Sequence, residues 1–81
     1  MTYTYTNFAR ITVDSEICFG QPCIRKTRMP VASILSYLSG GMTMDDFLKE
    51  FNWLTREDVL EAMAFAAGMI EHRIIPLKKA S

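Results

Sequence analysis

The sequence predicts a mainly α domain: three helices laid out as a helix-turn-helix bundle, with a short N-terminal β-ribbon in front. Three observations lead there. Pro30 introduces an apolar repeat at helical spacing that ends at Gly40-Gly41. A hydroxyl residue followed by carboxylates and paired apolar side chains then occurs twice, twelve residues apart: Thr43-Met44-Asp45-Asp46-Phe47-Leu48 and Thr55-Arg56-Glu57-Asp58-Val59-Leu60. Ahead of both, residues 2–13 are rich in Thr, Tyr, Phe, Ile and Val, the composition of strands. A chain of 81 residues suits one domain. It divides into a strand-and-loop arm (1–29), a trihelical unit (30–72) and a basic tail (73–81).

In the arm, Phe8, Ile11 and Val13 are the expected buried contacts, and Asp14-Ser15 begins a turn. Gly20 and Pro22 punctuate the next stretch, followed by a short extended run from Cys23 to Arg28. Pro30 biases Met29 towards extended backbone. Two short strands fit. An isolated ribbon is barely stable in water, so this one must lie on the helices or pair with another chain.

Pro30 opens the first helix without losing a needed N–H, and Val31, Ile34, Leu35 and Leu38 mark its apolar face. Glycine at 40 and 41 stops it. Thr43 caps the second helix, with Asp45 and Asp46 at the positive end of its dipole and Phe47, Leu48 and Phe51 on its buried side. Asn52-Trp53-Leu54 is a short connection, so helices two and three are expected to cross closely. In helix three, Val59, Leu60, Met63, Ala66 or Ala67, and Ile70 form the expected core stripe. Ala62, Phe65 and Met69 form a second stripe. One apolar face suffices for a surface helix, so Phe65 and Met69 are expected at a partner surface.

Charges balance at nine and nine, whereas dedicated nucleic-acid binders are usually strongly basic. Any such surface here must be local. Arg25, Lys26 and Arg28 place three cations within four residues. They suit phosphate contacts or, equally, a solvated edge that resists aggregation. Residues 43–61 are acidic, and the tail turns basic again at Arg73, Lys78 and Lys79.

Chemistry is sparse. No glycine loop is followed by the Lys and Ser/Thr of a phosphate cradle. One His and two Cys are too few for a zinc site or an acid–base–nucleophile set, so neither cofactor, metal nor catalysis is expected. Asp45-Asp46 and Glu57-Asp58 read as dipole complements. Cys23 is either a buried structural thiol or one made acidic by its cationic neighbours. No signal peptide or membrane span is readable, and cytoplasmic, unbridged cysteines are the expectation.

The run Gly20-x-Pro22-Cys23-Ile24-x-x-Thr27-Arg28-x-Pro30-Val31 has a specific order and spacing. After it come the Ile34-Leu35-x-x-Leu38 helix, a Gly41-Met42-Thr43 turn and Leu54-Thr55-x-Glu57-Asp58-Val59. From about Ile11 to Ala67 the chain resembles family 433 of the domains of unknown function, a group of short bacterial proteins. It departs at Lys26, where that family usually has Gly. The resemblance implies a homeodomain-like trihelical fold and a type II antitoxin that sequesters a PIN-like ribonuclease toxin and represses its own promoter.

On that basis Arg25, Lys26, Arg28 and Arg56 are the expected DNA contacts. The acidic first turn of helix three argues against its entering a major groove. Phe8, Phe65 and Met69 are the expected homodimer surface. His72, Arg73, Lys78 and Lys79 are the expected toxin contacts, since a cation can pair with the carboxylates of a PIN-type site. A stand-alone DNA-binding regulator and a structural dimerisation module remain the alternatives.

Overall fold

The alternating N-terminal segment folds into two antiparallel strands, β1 (Thr2–Tyr5) and β2 (Phe8–Asp14), joined by a tight turn. Thr2 pairs with Asp14 and Thr4 with Thr12, and the register slips between Thr4 and Tyr5, so that Tyr5 meets Phe8. A left-handed turn follows, in which Cys18, Phe19 and Gly20 all have positive φ (53°, 58° and 77°). The chain then returns as β3 (Cys23–Ile24), antiparallel to β2, with Ile11 opposite Ile24 and Thr12 opposite Cys23. The computed structural model describes residues 2–71.

Three helices complete it: α1 (Val31–Ser39), α2 (Met44–Glu50) and α3 (Arg56–Glu71). Pro30 is the residue before α1, with extended backbone. Gly41 ends that helix at φ 109°, a conformation that a side chain would strain. Thr43 caps α2 by accepting a hydrogen bond from the Asp46 N–H at 3.1 Å. Thr55 and Asp58 cap α3 reciprocally. The Thr55 hydroxyl accepts from the Asp58 N–H at 3.1 Å, and the Asp58 carboxylate accepts from the Thr55 N–H at 2.9 Å.

This architecture corrects the expected fold class. The mainly α, homeodomain-like helix-turn-helix bundle with a two-stranded ribbon gives way to three helices on a three-stranded antiparallel sheet, in the order β1-β2-β3. The partner that α3 was expected to cross is also different. It packs chiefly on α1 and β2, not on α2. The reason is where the apolar surface lies. Ile11 and Ile24 present one face of the sheet to Met29, Val31, Ile34, Phe47, Leu54, Val59, Ala62 and Phe65, and together these form the core. A sheet with one apolar face must bury it under helices.

The same packing shifts the phase of α3. Val59, Ala62 and Phe65 are buried, whereas Leu60, Met63, Met69 and Ile70 are exposed. Phe65 sits edge-on to Tyr5 (centroids 4.7 Å apart) and to Phe8 (5.4 Å) and is only 5% exposed. The strand aromatics claim Phe65, which was expected to face a partner, and Leu60, Met63 and Ile70, expected in the core, lie outside, while Val59 is buried and Met69 exposed as expected.

Candidate functional site

β3 ends in a closed turn. The Thr27 N–H donates to the Ile24 carbonyl at 3.1 Å and the Ile24 N–H to the Met29 carbonyl at 3.0 Å. The Thr27 hydroxyl donates to the same Ile24 carbonyl at 2.7 Å and accepts from the Met29 N–H at 3.1 Å. Lys26 occupies the third position with φ 60°. Glycine is the residue such a position favours, so the left-handed backbone is kept although the chain has Lys there. The turn is tied to the sheet by the Arg25 N–H, which donates to the Arg10 carbonyl at 2.7 Å. It is tied to the preceding left-handed turn by the half-buried Cys18, whose Sγ donates to the Arg28 carbonyl at 3.2 Å.

Held this way, Arg25, Lys26 and Arg28 are exposed, and among the described residues none has a carboxylate partner. They line a groove of about 1100 Å³ with Thr2, Thr4, Thr12 and Asp14. Those strand residues share one face because Thr2–Asp14 and Thr4–Thr12 are cross-strand pairs. Asp14 is already engaged. Its carboxylate accepts from the Thr2 hydroxyl at 2.6 Å and from the Glu16 N–H at 2.9 Å, which holds its pKa below the usual value.

A smaller groove of about 370 Å³ lies beside the first, lined by Arg10, Ile24, Thr55 and Asp58. The two share a wall of Arg25, Lys26, Thr27 and Trp53. Trp53 is 58% exposed.

The acidic start of α3 bears on what this surface accepts. Arg10 Nε lies 3.1 Å from the Asp58 carboxylate and its Nη1 lies 3.5 Å from Glu61. The Arg10 N–H also donates to Glu61 Oε2 at 2.6 Å. Two of the three carboxylates that would repel a phosphate are thus spent on β2. Arg10 escaped the sequence reading. The available signal was a cation inside an alternating, half-buried strand, a place where charge needs a partner.

Other expected site residues are scattered. Arg56 is exposed at the first residue of α3 but lines neither groove. Phe8 is half-buried under Phe65, and Met69, one turn further along the same face of that helix, is exposed. His72, Arg73, Lys78 and Lys79, the expected toxin contacts, lie outside the described residues. Cys23 is buried and unbridged. Burial, then a hydrogen bond and charge interaction with Cys18, pushes its thiol up to about 12, the opposite of an activated cysteine.

The fold and its outer face define a small α+β domain: a meander with helices on one side and an open, cation-walled groove on the other. Among the described residues no helix is long and apolar enough to cross a membrane. The chain belongs to the family described as protein of unknown function (DUF433), whose model matches residues 11–66. A crystal structure of a DUF433 member protein from Anabaena variabilis is similar, with a TM-score of 0.73 and 31% sequence identity. The match covers 76% of this chain and 61% of that one, so this chain spans about three fifths of that protein's length. No curated protein matches.

Proposed function

We propose that this chain is a non-enzymatic binding protein that holds nucleic acid by its phosphates through Arg25, Lys26 and Arg28. The observation that supports it is the turn itself. Three cations are fixed on a hydrogen-bonded loop with no carboxylate partner among the described residues. Free cations on a rigid support release counterions when they meet phosphates, and binding then weakens steeply with salt. Three duplex phosphate contacts correspond to a slope of about −2.7 in log K against log salt. Replacing all three residues with Ala should bring that slope close to zero, read by anisotropy of a labelled duplex from upstream of the gene. Unchanged affinity and slope would overturn the assignment.

A second reading adds a protein partner. The exposed stripe of Leu60, Met63 and Ile70 on α3 favours it, since large apolar side chains at helical spacing mark contact surfaces. With the family resemblance, this supports a cytoplasmic type II antitoxin that forms a homodimer, sequesters a PIN-like ribonuclease and represses its own operator. Affinity purification from the native cell, with nuclease treatment, tests it. A stoichiometric PIN-like protein is the expected result. Recovery of the chain alone would leave the nucleic-acid reading and remove the antitoxin one.

A further inference from the structure

We infer that the nucleic acid held at this surface is single-stranded, with a base stacked on Trp53 and the flanking phosphates on Arg25, Lys26 and Arg28. The inference rests on the nucleic-acid reading above and adds the class of strand.

Trp53 is the chain's one tryptophan, and it stands in the wall shared by the two grooves, next to Arg25, Lys26 and Thr27. It is also held in place. Its ring meets Phe51 edge-on at 5.5 Å and 89°. Phe51 packs at 4.8 Å on Phe47, which is fully buried, and at 5.1 Å on Tyr37. The indole is therefore the outer end of an aromatic chain rooted in the core, and ordering it on binding costs little.

Phosphates alone have no use for such a ring. In a duplex the base faces are already stacked on each other and only their edges are accessible. In a single strand the faces are free, and an aromatic platform beside cations is how proteins hold them. The geometry fits that division. The cations Arg25 and Lys26 line both grooves together with the indole, and Arg28, Thr2, Thr4 and Thr12 line the larger one. The nearby carboxylates are occupied, Asp14 by the Thr2 hydroxyl and Asp58 by Arg10.

The lone tryptophan makes the test direct. Wild-type protein is titrated with an oligothymidylate of about ten nucleotides and, separately, with a duplex of the same length, following intrinsic fluorescence and anisotropy. The expected result is strong quenching by the single strand, tighter binding of it than of the duplex, and a salt slope near −2.1 for three contacts. Trp53→Ala is expected to weaken oligothymidylate binding about ten- to hundred-fold, while Trp53→Phe keeps most of it. Circular dichroism shows whether each variant is folded, and the wild-type titration stands even if one is not. Binding of the duplex with unchanged fluorescence would overturn this inference and leave the nucleic-acid reading intact. Binding of neither would overturn both.

Discussion

Two cationic regions lie side by side in this protein, one where β2 meets α3 and one in the turn after β3, and they are used in opposite ways. Arg10 faces inward to Asp58 and Glu61, and its backbone joins the same contact. Arg25, Lys26 and Arg28 are braced from behind by Thr27 and Cys18 and meet no carboxylate among the described residues. The difference separates a charge that holds the fold together from charges that the fold holds out. Only the second kind is available to a partner.

The comparison can be strained from either side. Phe65→Ala empties the centre of the seam, where Tyr5 and Phe8 meet α3. It should cost about 3–5 kcal/mol in urea unfolding. A loss under about 1 kcal/mol would mean that strand and helix are not packed as described.

Arg10→Ala leaves Asp58 and Glu61, whose side chains are 14% and 19% exposed, without their cation. Exposed pairs are worth under about 1 kcal/mol, and breaking buried ones costs about 3–5 kcal/mol. This half-buried set should lie between, near 2 kcal/mol. The same assay reads it.

Next comes pH. The folded chain keeps the Cys23 proton up to about 12, while the ordinary value is 9.0. Between those limits the folded state binds more protons, so stability falls as pH rises, by about 1 kcal/mol per unit. Cys23→Ser should flatten that alkaline slope, and an unaltered slope would place its origin elsewhere.

Lys26→Gly relieves a left-handed side chain and should add about 0.5–1 kcal/mol. The smallest effect on stability belongs to the triple Ala replacement of Arg25, Lys26 and Arg28, within about 0.5 kcal/mol, although it should abolish the salt-dependent binding. If that variant unfolds, the turn belongs with the seam and the comparison fails.

Local signals were readable wherever the cause is local. Thr43 and Thr55 announce their helices through side-chain caps, and Gly41 announces the end of α1 through its φ. From sequence β3 reads only as an extended run, because it is two residues long and its meaning lies in pairing with β2. The phase of α3 was unreadable for another reason. Val59, Leu60, Ala62, Met63, Phe65, Met69 and Ile70 put apolar groups nearly all round it, so periodicity alone cannot choose the inner face. Tyr5, Phe8 and Arg10 choose it, from more than fifty residues away.

The basic turn could be named from sequence. Its bracing by Cys18, and the placement of Trp53 in the same wall, needed the three-dimensional fold. Trp53 in particular lies on a connection whose length suggested only a sharp crossing.

The contact between residues 10 and 61 also has a consequence for timing. A link spanning 51 positions is entropically slow to close. During synthesis β1 and β2 can meet early, but Tyr5, Phe8 and Arg10 find their α3 partners only once the ribosome has delivered that helix. For that interval Phe8 lacks Phe65, its partner on α3, so the seam between strand and helix is the last part of the fold to close.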